Sequence, residues 1–123
     1  MSNYYENLPV YKKALDLAVY FESIVRHFDR HHKYCIGADL CNLSRKILIY
    51  VARANNKVER QVKLKIAISL LEELKITIHL CKEIGAFHSA KSFEFATRKT
   101  IEVAKQCEGW LKGARISQDL NLD

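Results

Sequence analysis

The sequence predicts an all-α protein, an up-down-up-down antiparallel four-helix bundle that forms a single domain over residues 1–123. Apolar residues recur every three or four positions through most of the chain, which is the spacing of a buried helix face. The chain contains only four glycines and one proline, too few turn-forming residues for an all-β sandwich or barrel. Short polar stretches separate the periodic segments, and short connections place successive helices antiparallel to each other.

The first two helices are predicted at about 9–29 and 35–55. Pro9 suits the first turn of a helix, where its missing N–H is not needed. The polar stretch 29–34 is expected to form the turn between them, and Asn55-Asn56 can end the second helix. The buried row of the first helix is predicted to be Val10, Ala14, Leu17, Phe21, Ile24 and Phe28. That of the second helix is predicted to be Ile36, Leu40, Leu43, Ile47, Tyr50 and Ala54.

The third helix, at about 57–84, is apolar around more of its circumference than one buried row requires. Its predicted core row is Leu64, Ala67, Leu71, Leu74, Ile78 and Cys81. Outside that row lie Ile66, Ile68, Leu70, Ile76, Leu80 and Ile84. Such a helix is either central in the bundle or buries a second face against another subunit.

The fourth helix is predicted at about 89–113, with Ser89 as its N-cap and Gly85 as the stop of the preceding helix. Its inner row is predicted to be Phe93, Thr97, Thr100, Ala104, Cys107 and Leu111, beside a second row of Ala96, Val103 and Trp110. The acidic tail, residues 116–123, is expected to fray.

Positive charge is concentrated in two parts of the chain. The formal net charge is +6, and residues 26–65 alone contain ten basic and three acidic side chains. Such a field favours a polyanionic partner, of which nucleic acid is the commonest, although a charged face can also serve solubility alone. The candidates in the first region are Arg45, Lys46, Arg53, Lys57, Arg60 and Lys63. On the fourth helix, Lys91, Arg98, Lys105 and Lys112 recur every seven residues and therefore share one face.

No catalytic or cofactor-binding motif stands out, so the sequence predicts a protein that is not an enzyme and has no cofactor. Two weaker alternatives remain. His27, His31 and Cys35 have the spacing of metal ligands on a continuous helix, but the predicted turn interrupts it. Arg26 and His31 fit the R-x4-H pattern of HEPN-type ribonucleases, which are also helical bundles.

The remaining features predict a cytoplasmic protein. The N-terminal segment lacks the pattern of a signal peptide, and no apolar run is long enough to span a membrane. The four cysteines lack CxxC spacing and lie within apolar helical patterns, so they are expected to be buried small hydrophobes.

Several segments, in order and spacing, resemble the accessory variability determinant (Avd) proteins of diversity-generating retroelements. They are HKYCIG at 32–37, LSRKIL at 43–48, ARAN at 52–55, LEELK at 71–75, LCKE at 80–83, Phe93 and EGWLK at 108–112. The related proteins encoded in intervening sequences of ribosomal RNA genes usually carry an acidic-Gly-x-x-Arg signature after the second helix. Here the corresponding residues are Ala54-Asn55-Asn56, which favours the Avd branch.

The resemblance implies a basic four-helix bundle that assembles into a barrel-shaped homopentamer. It also implies binding to the reverse transcriptase of the element and to RNA or DNA, in support of mutagenic copying. By position in the pattern, Arg45, Arg53, Lys82 and Trp110 are carried over, and the two arginines are candidates for contact with RNA or the polymerase. Ile66, Leu70 and Trp110 are expected to pack between helices or between subunits. A bundle with a purely structural role remains the alternative to this function.

Overall fold

The computed structural model describes residues 4–120 and confirms an all-α protein of four long helices packed against each other, consistent with a helical bundle. A short 3-10 helix, Tyr4–Asn7, precedes α1. The α-helices are α1 (Pro9–Val25), α2 (Arg30–Tyr34), α3 (Ile36–Arg53), α4 (Arg60–Glu83) and α5 (Ala90–Asp119). The four predicted helices correspond to α1, α3, α4 and α5.

The long helices enclose one hydrophobic core. α1 packs on α3, α3 on α4, α4 on α5, and α5 also packs on α1. The core row predicted for α4 is confirmed in full, because all six of its residues are buried. In the last turn of α3 the core position is occupied by Val51, which is buried, and Tyr50 beside it is partly exposed. The prediction of Tyr50 in the core row was therefore wrong by one position, which turns its ring toward the surface between α3 and α4.

The predicted boundary of the first helix at residue 29 was too late, since α1 ends at Val25. His27 and Phe28 donate their backbone N–H groups to carbonyls three residues earlier, a tight turn that closes the helix. Phe28 nevertheless remains buried. The stretch 29–34, predicted as a turn, contains the short helix α2, which leads directly into α3 at Ile36.

The fourth predicted helix is longer than expected, because α5 continues to Asp119 and does not end at 113. Gly113 keeps helical geometry, since Gly85 is the glycine with a positive φ in the described chain. The prediction that 116–123 frays was therefore wrong for 116–119, and residues 121–123 lie outside the described part. The predicted caps are confirmed, as Ser89 accepts from the Ser92 N–H at 3.1 Å and Gly85 has a φ of 74°.

Two buried hydroxyl groups in the core are satisfied within their own helices. Thr100 donates to the Ala96 carbonyl at 2.8 Å, and Ser44 donates to the Cys41 carbonyl at 3.1 Å. Neither hydroxyl therefore needs a partner on another helix. Packing between the helices at these positions depends on shape.

We expect Gly37→Ala to destabilise the fold by roughly 1–2 kcal/mol, because this glycine is where α3 approaches the end of α1. An added Cβ would lie 2.7 Å from Val25 Cγ1 and 3.0 Å from the His32 carbonyl oxygen. Urea unfolding followed by circular dichroism measures the change. Gly109→Ala is the matched control, since its Cβ meets nothing within 4 Å and should stabilise the helix slightly. Equal effects of the two substitutions would contradict the close approach at Gly37.

Candidate nucleic-acid interface

The structure divides the predicted basic residues between two separate surfaces. Lys46, Arg53 and Lys63 lie on α3 and α4, which pack against each other, whereas Lys91, Arg98 and Lys105 lie along α5. From the sequence alone it could not be decided whether these two groups lie together. The structure places them on different helices, and each group has its own neighbours.

The first surface is centred on the ring of Tyr50. The guanidinium carbon of Arg53 and the Nζ of Lys63 each lie 5.7 Å from the centroid of that ring. Arg53 is exposed, and Lys63 is also 3.3 Å from Glu59 Oε1. We call Tyr50, Arg53 and Lys63 the seam cluster. An aromatic ring can stack on a base, and neighbouring cations can contact the phosphates of a nucleic acid.

The second surface is the α5 stripe, Lys91, Arg98, Lys105 and Lys112. All four side chains are exposed, and they follow a helix face of roughly 30 Å at intervals of about 10 Å. Arg98 lies 5.5 Å from the centroid of the Phe95 ring. Within residues 4–120 these four cations form no salt bridge. Their charge is therefore available to an external anion.

Other predicted binding residues already have protein partners. Arg45 Nη2 lies 2.7 Å from Glu22 Oε1 and is thereby tied to α1. Arg60 donates from Nε to the Ala54 carbonyl at 2.9 Å and from Nη2 to the Asn55 carbonyl at 3.0 Å. These carbonyls lie at the C-terminal end of α3, where a guanidinium is a favourable cap.

Arg60 also connects that helix end to α5. Its guanidinium carbon lies 5.0 Å from the centroid of the Trp110 ring, and Trp110 itself is partly buried against the core. Trp110 thus contacts the core of its own chain on one side and the Arg60 guanidinium on another. The other candidate carried from the sequence, Lys82, lies with its Nζ 4.7 Å above the Phe93 ring.

The outer face of α4 is apolar in places. Ile66 and Leu70 are partly buried, whereas Ile76 is 70% and Leu80 is 50% exposed. Val62, which the sequence reading did not single out, is 59% exposed on the same helix. Leu70 packs against the core of its own chain, whereas Val62, Ile76 and Leu80 remain exposed.

Sequence reasoning missed three residues that the surface places beside the predicted cations. Tyr50 and Phe95 each carry two cations over their rings, and Lys65 lines a groove next to Trp110. Tyr50 was assigned to the core because its spacing matched the apolar row. The alternation of aromatic residues with Lys and Arg at i+3 or i+4 was the signal that could have identified Tyr50 and Phe95.

The cysteines differ in exposure more than predicted. Burial raises the pKa of the Cys81 and Cys107 thiols to about 12 and that of the partly buried Cys41 to about 11. These three thiols stay protonated at neutral pH and are poor nucleophiles and poor metal ligands. Cys35 is exposed, so its predicted burial was wrong, because the α2–α3 junction lies at the surface.

The other chemical candidates lie near that junction. Arg26 is exposed in the turn after α1, and His31 is exposed in α2. His27, His31 and Cys35 do not assemble, and the described residues contain no group of three or more His, Cys, Asp or Glu side chains that could hold a metal.

No helix in the described range is long and apolar enough to cross a membrane.

The chain matches no protein-family model, and no curated protein matches it.

Proposed function

We propose that this chain is a cytoplasmic, non-enzymatic accessory protein of the Avd type. It binds RNA or DNA and the reverse transcriptase of a retroelement, and it supports the copying of template RNA into complementary DNA. It does so as a homopentamer of up-down-up-down antiparallel four-helix bundles. The sequence resemblance and the surface of the bundle are the two supports for this proposal.

The observation that carries the proposal is the α5 stripe. Its exposed cations form no salt bridge within the part of the chain that the structure describes, and the nearest acidic residues along the helix, Glu94, Glu102 and Glu108, lie one turn away. The regular spacing of the cations along roughly 30 Å suits a phosphate backbone, which presents charge continuously. Lys and Arg on a helix face contact phosphates, so we expect binding that depends on salt and little on base sequence.

Contacts between the helices support the antiparallel topology. Lys13 lies 4.0 Å from Glu102, and Tyr20 donates to the Ser92 carbonyl at 3.1 Å. As α1 advances toward its C-terminus, its partners on α5 lie progressively nearer to the N-terminus.

The exposed apolar side chains of α4 support self-association. Ile76 and Leu80 lie one helical turn apart on the outer face of α4, and a monomer gains nothing by exposing them. Ile66 lies two heptads before Leu80, and we propose that it shares this subunit interface. Leu70 packs against the core of its own chain and borders the same face. Trp110 serves packing inside the chain.

The proposed roles of the basic residues follow from their partners. Lys46, Arg53 and the α5 stripe form no salt bridge within residues 4–120 and are proposed to contact phosphate or the polymerase, whereas Lys63 is already 3.3 Å from Glu59 Oε1. Arg45 and Arg60 hold Glu22 and the end of α3, respectively. Arg60 therefore maintains the shape of the surface, whereas Arg45, in an ion pair that is more than half exposed, remains accessible to a partner.

Light scattering combined with fluorescence anisotropy tests this function. We expect a particle of about five chain masses that binds a labelled structured RNA at low salt and releases it as salt increases, with the RNA left intact. A monomer that binds no nucleic acid would overturn the proposal. Cleavage of the RNA that is lost in Arg26→Ala or His31→Ala would indicate the ribonuclease instead. A pentamer without RNA binding would leave only the structural alternative.

A further inference from the structure

A groove of about 1070 Å³ lies between the first turns of α4 and the last turns of α5. Lys57 and Lys65 lie on its α4 side, Trp110 and Gly113 lie on its α5 side, and Arg60 also lines it. We call it the terminal groove. It exists because α5 extends beyond residue 113, past the end that the sequence predicted.

The groove contains the two chemical elements that a single-stranded nucleic acid requires. Lys57 and Lys65 are exposed cations without a described ion pair in residues 4–120, and they suit phosphate groups. Trp110 supplies an aromatic ring, on which any base can stack.

The stacking surface is already ordered in the free protein. The Arg60 guanidinium is fixed by the carbonyls of Ala54 and Asn55 and lies 5.0 Å from the centroid of the Trp110 ring. Ordering this side chain therefore costs little when a ligand binds. A base can stack on the guanidinium or on the accessible part of the ring.

The backbone leaves room for such a ligand. A Cβ added at Gly113 would meet no atom within 4 Å, so the α5 backbone is open to the groove at this residue. Gln61 and Gln118 line the same groove and hydrogen-bond to each other through their side chains. Their amides provide further donors and acceptors for base edges.

We propose that the terminal groove binds a single-stranded segment of nucleic acid, with a base stacked on the Trp110–Arg60 pair and the phosphates on Lys57 and Lys65. This inference rests on the proposed nucleic-acid binding and adds that the groove prefers single strands to duplexes. A base paired in a duplex is stacked on its neighbours and cannot enter the groove. The α5 stripe, in contrast, can contact the phosphates of single and double strands alike.

Trp110 is the only tryptophan in the chain, so its fluorescence reports directly on the groove. The experiment titrates the full chain with a 15-nucleotide oligouridylate and with a 15-base-pair duplex, while anisotropy of labelled copies measures binding. We expect the single strand to quench the tryptophan emission over the concentration range in which it binds. The duplex should bind with little quenching.

A pair of glycine substitutions tests whether the single strand binds in the terminal groove, without changing the charge of the protein. Gly113→Gln fills the groove, whereas Gly109→Gln adds the same side chain to α5 at a residue outside the groove lining that is equally unobstructed. We expect Gly113→Gln to reduce affinity for the single strand by roughly 5- to 100-fold, the range for one stacked base, and to leave duplex affinity unchanged. Gly109→Gln should change neither affinity.

Each other outcome overturns the inference in an identifiable way. Binding of the single strand without quenching, or equal effects of the two glycine variants, would reject the terminal groove as the binding site and leave the proposed function intact. Equal quenching by poly-glutamate would show that the groove recognises any acidic polymer, including an acidic protein partner. Absence of binding to both nucleic acids would reject the inference together with the proposed function.

Discussion

Replacing Lys91, Arg98 and Lys105 together with glutamine is expected to reduce affinity for RNA or DNA by roughly 100- to 1000-fold at 0.1 M salt. Each phosphate contact contributes close to one factor of ten at this salt concentration, because binding releases a condensed counterion. The slope of log affinity against log salt should therefore decrease by about 3. Fluorescence anisotropy at several salt concentrations measures both quantities. The helix should stay intact, since these side chains are exposed and glutamine is a good helix former.

The matched control removes the same charge from other positions. Lys12, Arg30 and Arg115 are exposed and form no salt bridge in the described part of the chain. Their replacement with glutamine should reduce affinity far less than the change in the α5 stripe does. If both triple variants lose affinity equally, net charge and not the stripe governs binding.

Phe21→Ala is expected to cause the largest loss of stability, about 3–5 kcal/mol. The side chain is fully buried in α1, and its ring lies edge-on to Tyr20 with centroids 5.7 Å apart. Removing the ring leaves a cavity that the surrounding helices fill only in part. Because domains of this size are stable by about 5–15 kcal/mol, the loss is a large share of the total. Urea unfolding at one fixed protein concentration measures it.

Val19→Ala is the control for Phe21→Ala within the same helix. Val19 is 60% exposed, so truncation should change the free energy of unfolding by no more than about 0.5 kcal/mol. A cost for Phe21→Ala below 1 kcal/mol would mean that the core of α1 is not packed as described.

The sequence predicted the fold class and much of the core because heptad spacing alone selects the buried face. α4 is the clearest example, since all residues of its predicted row are buried. Helix ends were less predictable. The closing turn at His27 and Phe28 depends on backbone hydrogen bonds that no residue type in the stretch specifies, and nothing in the sequence around Gly113 shows whether α5 continues.

The candidate site was predictable only in part, because a list of cations does not show which of them already have partners. The seven-residue repeat placed the α5 stripe on one exposed face, and the structure agrees. Arg60 looked equivalent to its basic neighbours in sequence, yet it caps the end of α3 and lies over the Trp110 ring. Both contacts depend on how the helices cross at that end of the bundle.

The self-contained hydroxyls of Ser44 and Thr100 have a consequence for how this fold can evolve. Since each bonds to a carbonyl of its own helix, a change at one of them requires no compensating polar change on a facing helix. Apolar cores of this kind accept many combinations of side chains that preserve volume and pattern. Lineages that inherit such a bundle can therefore exchange interior residues in combinations that preserve volume while the backbone stays the same. Related bundles would then keep the same shape after their amino-acid sequences have ceased to be recognisably similar.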